Sequence, residues 1–400
     1  MSIDRLFEPG RIGGLTLANR LVRSATSEMM ARDSGEITDQ FIDLYRNLAR
    51  GGAGLMFTGM LYPHPRGRYI SKQAGIHDDA MIPALTRLTG QVHDAGGIIF
   101  GELGHAGSQS RDPAVTPLAP SPVGNFISLR EPQEAHDAEI REVIAAFAQA
   151  ARRVRQAGFD GVHVHAGHGY LISEFSSPYA NRRNDEWGGD AERRGRFLIE
   201  IYRAIRAAVG ADFPVTFKLG IADSMAEGGL TTEESLPRAA QLETEGVDAI
   251  EVSVGIMHLT SMSAGEFIGV SPIRAMQDLV LHRLWMPAGD ECYFRAHARA
   301  VKQVLTKIPV ILVGGIRRTE TMAKILASGD ADFISMSRPF IREPDLANKI
   351  KAGKRGLVDC VSCNICLEHE LTDPLQCWRR DKRLLLKHIL WKLGGGHKQH

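Results

Sequence analysis

Eight short apolar or β-branched runs recur along the chain and alternate with longer segments of helical periodicity. The runs cover residues 20–24, 53–60, 98–103, 161–165, 214–219, 249–254, 309–314 and 333–338. Between them, segments such as 135–160 and 189–210 carry apolar side chains at intervals of three and four positions, which is typical of amphipathic helices. Eight strand–helix units predict an α/β protein whose parallel strands close into a (β/α)8 TIM barrel.

An open, doubly wound sheet is the structural alternative, because periodicity alone counts strands imprecisely. No Gly-x-Gly-x-x-Gly motif follows the first run to favour it. The alternating pattern stops near residue 353. We therefore expect residues 1–353 to form the barrel, and residues 354–400 to form a short cysteine segment followed by a basic amphipathic helix.

Composition and charge narrow the class of protein. Of the 400 residues, 44% are hydrophobic and 24% are charged, and the formal net charge is +1. Such a chain can bury a large core but has no charge excess that would gather nucleic acid or an anionic membrane. No stretch approaches the length of a signal core or a membrane span. We expect a cytoplasmic protein acting on a small molecule, with the C-terminal helix as the candidate contact for a second copy or a partner protein.

The end of the fourth run carries the densest group of polar side chains. The stretch HVHAGHGY, residues 163–170, holds three histidines and one tyrosine. In a (β/α)8 barrel the chemistry lies at the C-terminal ends of the strands, so His165, His168 and Tyr170 are candidate proton donors, with a structural role as the alternative. His163 should share the strand face of His165 but lie deeper, and we interpret it as a core histidine.

A second candidate cluster follows the last two runs. Gly314 and Gly315 separate the seventh run from a helix, and Ser337 and Arg338 end the eighth. Exposed backbone N–H groups, a helix N-terminus and an arginine that converge on one point predict a phosphate site. The alternative is a pair of ordinary turn glycines and a surface arginine.

Four of the five cysteines lie within 18 residues near the C-terminus. Cys360, Cys363, Cys366 and Cys377 are separated by two, two and ten residues. Four thiolates at such intervals can hold a [4Fe–4S] cluster or tetrahedral zinc. Unligated thiols are the alternative.

Three stretches together resemble the old yellow enzyme family of FMN-dependent oxidoreductases: NRLVRSAT, HAGHGYLISEFSSPYANRRNDEWGG and SMSRPF. The resemblance covers residues 4 to about 350 and is greatest to the branch of the 2,4-dienoyl-CoA reductases and related NADH:flavin oxidoreductases. It implies an FMN-binding barrel that is reduced by NAD(P)H and then reduces the activated C=C bond of an α,β-unsaturated carbonyl compound. Larger family members with an iron–sulfur cluster have one more residue in each of the last two cysteine gaps.

The resemblance also implies residue roles. His165 and His168 would donate hydrogen bonds to the substrate carbonyl oxygen, and Tyr170 would supply the proton to the α-carbon. Arg183 and His258 would lie near the substrate, with an ion pair to Asp185 or Glu186 as the alternative for Arg183. Bound FMN would contact Ser24, Ala25, Thr26, Met60, Glu102, Lys218, Gly314, Gly315, Ser337 and Arg338.

Glu102 departs from the family, which generally has glutamine at this position. A carboxylate can only accept hydrogen bonds unless it is protonated, so we expect a raised pKa or a rearranged contact at this residue.

Two other functions remain open at this stage. One is a flavin-holding electron-transfer module without a dedicated alkene substrate. The other is a flavin-free phosphate-binding barrel, such as a lyase or an isomerase, because glycine-rich phosphate loops occur in both kinds of barrel.

Overall fold

The computed structural model describes residues 3–125, 128–225, 227–257 and 291–394. Within them the strands are, in chain order, β1 (Gly10–Ile12), β2 (Leu15–Leu17), β3 (Leu21–Arg23), β4 (Leu55–Phe57), β5 (Ile99–Leu103), β6 (Leu118–Ala119), β7 (Gln133–Glu134), β8 (Gly161–Ala166), β9 (Val215–Gly220), β10 (Ala249–Ser253), β11 (Val310–Leu312) and β12 (Phe333–Met336).

Eight of these strands close into one parallel barrel. Its order is β3, β4, β5, β8, β9, β10, β11 and β12, with β12 paired back to β3. Each barrel strand falls within one of the eight predicted runs or extends it by one residue. The (β/α)8 prediction is therefore confirmed, and the open sheet is excluded because the first and last strands are hydrogen-bonded to each other.

Helices surround the barrel. They are α1 (Asp39–Arg50), α2 (Ile82–Asp94), α3 (Asp137–Gln156), α4 (Leu171–Ser176), α5 (Ala191–Val209), α6 (Thr232–Glu245), α7 (Arg295–Val304) and α8 (Thr319–Ser328). Helix α5 shows how the sequence sets their ends. The Asp190 carboxylate accepts a hydrogen bond of 2.8 Å from the Arg193 N–H and so caps its first turn, and Gly210 follows its last residue with a φ of 76°.

The β1–β2 hairpin lies across the N-terminal end of the barrel. Ile12 and Leu17 of this hairpin are fully buried and pack with Val22, Phe57 and Phe333, which belong to three barrel strands. The bottom of the barrel is thus filled with apolar side chains. The opposite, C-terminal end is the one left to polar side chains.

The chain continues beyond the barrel through α9 (Arg338–Arg342), α10 (Leu346–Lys351), α11 (Ile365–Glu368) and α12 (Lys382–Leu393). The buried Trp378 stacks on His369 with 3.7 Å between ring centroids, and His369 Nε2 lies 3.0 Å from His388 Nδ1 in α12. These contacts attach α12 to the cysteine segment, while Leu386, Leu390 and Leu393 remain exposed. No helix among the described residues is long and apolar enough to cross a membrane.

Phe197 in α5 connects the outer helices to the segment that follows β8. Its buried ring lies 4.2 Å from Phe175 in α4 and 6.4 Å from Trp187, measured between centroids. We expect Phe197→Ala to lower the free energy of unfolding by about 3–5 kcal/mol, because it leaves a cavity among aromatic rings. Urea unfolding measures this loss. The control Leu390→Ala, at an exposed position, should change it by less than about 0.5 kcal/mol; equal losses in the two variants would contradict the packing described here.

Candidate active site

A cavity of about 510 Å³ opens at the C-terminal end of the barrel. Its volume is within the range of about 300–1,000 Å³ typical of small-molecule sites. Among its lining residues are Ser24, Ala25, Thr26, Met60, Glu102, His165, His168, Tyr170, Lys218, Gly314, Gly315, Ser337 and Arg338. Residues up to 314 positions apart in the chain therefore meet there, at the end of the barrel where the strand pattern placed them.

The floor of this cavity is built on a buried ion pair. The Lys218 ammonium in β9 donates a short hydrogen bond to Glu251 Oε2 in β10, and Ser24 Oγ donates to Glu251 Oε1 at 2.9 Å. Burial raises the pKa of Glu251, but Lys218 and a hydrogen bond from His163 outweigh it and hold that pKa well below its usual range. Glu251 is therefore ionised and neutralises Lys218.

His163 is a core residue, as the strand pattern indicated. It is fully buried, and its ring stacks on Phe57 with centroids 3.8 Å apart. Nδ1 lies 2.8 Å from Thr216 Oγ1 and Nε2 lies 3.3 Å from Glu251 Oε2. Burial lowers its pKa to about 4, so the ring is neutral. Because a carboxylate only accepts, the proton is on Nε2.

His165 and His168 lie side by side because the chain turns sharply after β8. His168 and Gly169 both have positive φ, 58° and 72°. Gly167 N–H donates to His165 Nδ1 at 3.3 Å, and His165 Nε2 lies 3.2 Å from His168 Nδ1. His168 Nε2 lies 2.7 Å from Ser253 Oγ. Each ring then carries its proton on Nε2, in a chain of donors that ends at the Ser253 hydroxyl.

Both rings of this pair are neutral. Burial lowers the pKa of His168 to about 3, and burial together with the neighbouring His168 and Lys218 holds the pKa of His165 well below its usual value. Two neutral imidazoles can each present an N–H group without adding charge to the cavity. The arrangement is suited to hydrogen-bonding an oxygen that gains negative charge during a reaction.

Tyr170 stands against this pair. Its ring meets His165 edge-on at 4.9 Å and Tyr69 edge-on at 5.8 Å between centroids. Burial raises the pKa of Tyr170 well above its ordinary value, and the nearby Tyr69, Glu370 and Glu102 act in the same direction. The hydroxyl therefore keeps its proton across the neutral range and can serve as a proton donor.

The predicted phosphate side of the cavity is formed by β11, β12 and α9. Gly314 has a φ of 118°, and a Cβ atom there would lie 2.7 Å from the Tyr293 ring, so only glycine fits. The hydroxyls of Thr26 and Ser337 are 2.6 Å apart. The Arg338 guanidinium donates a short hydrogen bond to the Asn364 side chain of the cysteine segment.

Several cavity residues escaped the sequence analysis. Arg111 and Gln109 come from the loop after β5, which is rich in glycine, proline and serine and whose sequence singles out no side chain. Glu370 comes from the cysteine segment, in which the sequence pattern points only to the thiols. Burial raises the pKa of Glu370 to about 7, although Arg111 opposes the shift. Glu251 was detectable, because a charged residue inside an apolar strand signals an interior partner.

Arg183, a predicted substrate contact, does not line the cavity. The Arg183 guanidinium donates to Asp185 and Glu134 carboxylates and to the backbone oxygens of Pro120 and Ala135, at a place away from the lining residues. Asp185, one of these carboxylate partners, lies two residues after Arg183 in the sequence. His258 lies outside the described residues.

The four clustered cysteines surround a separate, small cavity. Cys360, Cys363, Cys366 and Cys377 line a space of about 20 Å³, close to the size of one water molecule. Burial raises the pKa of Cys363 to about 11, which favours the protonated thiol. In the part of the chain that the structure describes, no group of three or more His, Cys, Asp or Glu side chains is arranged to hold a metal ion.

The chain is similar to known oxidoreductases over most of its length. The model of the NADH:flavin oxidoreductase / NADH oxidase family matches residues 5–356. An NADH oxidase of Thermoanaerobacter brockii is 38% identical over 367 residues, which are 90% of this chain and 53% of that protein. A 4,4'-dithiodibutanoate disulfide reductase of Rhodococcus erythropolis is 34% identical over 90% of this chain and 92% of its own length.

Among solved structures, a 2-naphthoyl-CoA reductase in complex with 2-naphthoyl-CoA matches with a TM-score of 0.83 and 27% identity. The match covers 97% of this chain and 58% of that one. This chain thus spans little more than half the length of the NADH oxidase and of the naphthoyl-CoA reductase.

The neutral state of the three histidines is testable. His163, with a pKa lowered to about 4, His168, with a pKa lowered to about 3, and His165, shifted the same way, should show constant ring nitrogen shifts from about pH 5 to about pH 8. Exposed histidines, with an ordinary pKa near 6.5, titrate across this range and are the internal control. NMR of protein with ¹⁵N-labelled histidine, assigned with His→Gln variants, measures this. A midpoint near 6.5 for any of the three would mean that burial does not hold it neutral.

Proposed function

The chain belongs to the NADH:flavin oxidoreductase / NADH oxidase family, and we propose that it uses FMN and NAD(P)H to reduce the activated C=C bond of an α,β-unsaturated carbonyl compound. The observation that carries this proposal is the meeting of a neutral histidine pair and a protonated tyrosine in one cavity. An enone, an enoate or an enoyl thioester has the carbonyl oxygen and the protonatable α-carbon that these groups suit.

The lining of the cavity fits FMN. Glu102 Oε2 is buried without a hydrogen-bond partner among the described residues, so the cavity floor holds an oxygen that a bound ligand could hydrogen-bond. Gly314 lies where a Cβ atom would fill the wall, and Arg338 supplies a cation on the same side. Ser24, Ala25, Thr26, Met60, Glu102 and Lys218 would contact the ring, and Gly314, Gly315, Ser337 and Arg338 would hold the phosphate. Bound FMN would pass the electrons of NAD(P)H to the alkene as a hydride.

His165 and His168 bind the substrate carbonyl oxygen in this proposal. Their Nε2–H groups are committed to His168 and to Ser253 in the structure described here. When these N–H groups turn toward the substrate carbonyl oxygen, they exchange neutral acceptors for an oxygen on which negative charge develops. The exchange is favourable in the transition state, because hydrogen bonds to charged acceptors are stronger than those to neutral ones.

Tyr170 delivers the proton to the α-carbon. Its raised pKa keeps the hydroxyl protonated before the reaction, and the adjacent histidine N–H groups stabilise the oxygen of the intermediate enolate. Residues 1–353 provide these groups, whereas Glu370 and Ser362 of the following segment complete the cavity wall.

Family membership disfavours a flavin-free lyase or isomerase. The remaining alternative is a flavin-holding electron-transfer module without an alkene substrate, for which NAD(P)H oxidation would proceed while enones stay inert. Among the described residues, no group of three or more His, Cys, Asp or Glu side chains is arranged to hold a metal ion, and the proposed function assigns no metal to the four cysteines. We derive no electron transfer through a metal.

FMN binding gives the first test. The purified protein mixed with FMN should show the visible absorbance of bound flavin, which NADH or NADPH bleaches without oxygen. Arg338→Ala should weaken FMN binding by about 10- to 100-fold, because a hydrogen bond to a charged group contributes about 1.5–3 kcal/mol. Arg342→Ala, one helical turn on and outside the main cavity, is the control. If no flavin absorbance stays with the protein after incubation with saturating FMN and removal of free FMN, the proposed function is overturned.

Tyr170→Phe distinguishes the reduction of FMN by NAD(P)H from the reoxidation of FMN by the unsaturated substrate. The ring still packs, so FMN binding and reduction by NAD(P)H should persist. Reoxidation by an α,β-unsaturated carbonyl compound should slow by about 10²- to 10⁴-fold, the range for a general acid, while reoxidation by a quinone should change little because no carbon is protonated. Stopped-flow absorbance measures both rates. Enone reduction at the parent rate would remove Tyr170 from the mechanism.

A further inference from the structure

Glu102 is a buried carboxyl group that lacks the partners a carboxylate needs. It lies at the cavity floor in β5 and is 1% exposed. Its backbone N–H donates to Thr58 Oγ1 at 2.9 Å, but its side-chain Oε2 has no hydrogen-bond partner among the described residues. A carboxylate left in this position would be a buried charge with an unsatisfied oxygen, which is costly.

The nearest cation is already neutralised. Lys218 Nζ is 3.8 Å from Glu102 Oε2, but it donates directly to Glu251. His163 Nε2 is 3.6 Å from Glu102 Oε2, yet its ring is neutral and its proton is directed at the same Glu251 carboxylate. One cation therefore faces two carboxyl groups on this floor.

The remaining charged neighbours do not change this balance. Arg23 in β3 lowers the pKa of Glu102, and Glu28 after this strand raises it. Glu28 accepts hydrogen bonds from Tyr45 and from the Gly59 N–H, and Arg23 donates to the Phe57 backbone oxygen at 2.7 Å. With Lys218 paired to Glu251, the charge count leaves a proton on Glu102.

We propose that Glu102 is a protonated carboxylic acid that donates a hydrogen bond from the cavity floor to the bound flavin, and that it takes up a proton when the flavin is reduced at alkaline pH. This rests on the proposed function, since it requires bound FMN. Glutamine and protonated glutamate both present a donor and an acceptor, but only glutamate can also lose its proton.

The proton balance is as follows. Above its pKa in the oxidised protein, Glu102 is an anion beside the ring. Reduction of bound FMN by a hydride from NAD(P)H would increase the negative charge next to Glu102, and the Glu102 carboxylate would then take a proton from water at Oε2. Below that pKa Glu102 is protonated in both redox states and takes up nothing. Burial raises the pKa of Glu102 to about 8; Lys218 opposes the shift, and Glu251 and Glu28 reinforce it. The transition therefore falls in an accessible range.

The midpoint potential of the FMN-loaded protein, measured spectroscopically from about pH 6 to about pH 10, tests this. One extra proton per two electrons changes the equilibrium tenfold per pH unit, which is about 30 mV for a two-electron couple. Above about pH 8, the midpoint potential of the parent protein should fall more steeply with pH, by about 30 mV more per pH unit than below it. Glu102→Gln should remove the steeper region, because glutamine has no proton to exchange.

Glu174→Gln is the matched control. Glu174 in α4 is also 1% exposed, and burial also raises its pKa to about 8, but it lies outside the cavity lining and accepts from the Ser108 N–H. Its substitution should leave the steeper region in place. The inference is overturned if the parent and Glu102→Gln potentials have the same pH dependence, or if Glu174→Gln abolishes the steeper region equally.

Infrared difference spectra provide a second readout that does not need the variant to fold perfectly. The reduced-minus-oxidised spectrum of the parent protein at about pH 9, above the Glu102 pKa of about 8, should contain a positive carboxylic acid band. The absence of such a band in a protein that binds and reduces FMN would refute the proton uptake alone. Failure to bind FMN at all would instead refute the proposed function.

Discussion

The Glu251 carboxylate is the interaction on which the rest of this site depends. It sits fully buried in β10 and accepts hydrogen bonds from Ser24 directly after β3, Ser335 in β12, Lys218 in β9 and His163 in β8. Residues on or directly after five of the eight barrel strands thus meet at these two oxygen atoms. A buried charge is tolerated only when it is paired and fully hydrogen-bonded, and here every partner comes from a different strand. Removing one of these partners would leave part of the buried charge of Glu251 uncompensated.

That single pairing sets the charges of the whole cavity. Because Lys218 is committed to Glu251, no other ionised group on the floor receives a full counter-charge. Glu102, His165 and His168 consequently adopt their neutral forms under the burial that they share. Burial also keeps the Tyr170 hydroxyl protonated. One cause, the low polarity of the barrel interior, thus produces neutral donors from both acidic and basic side chains.

The segment after the barrel belongs to this cavity as much as the strand ends do. Asn364 holds the Arg338 guanidinium, and Glu370 approaches Tyr170 closely enough to raise its pKa. The packing of His369 against Trp378 and His388 anchors the same segment. Its cysteines surround a space of about one water molecule, so the contribution seen in the structure is to the cavity wall.

Local patterns in the sequence were enough to predict the eight strands and the end at which the polar residues lie, whereas closure into a barrel rests on the pairing of β12 with β3. The turn with His165, His168 and Tyr170 could also be found, because these residues are neighbours in the chain as well as in space. The partners that give them their protonation states could not. Ser24 and Glu251 are 227 positions apart, and Arg111 and Glu370 come from the loop after β5 and from the cysteine segment. Arg183 was near the right motif, yet its guanidinium is held by Asp185 and by backbone oxygens. Periodicity records which face of an element is buried, whereas the charge of a buried group depends on contacts that exist only after distant segments have packed together.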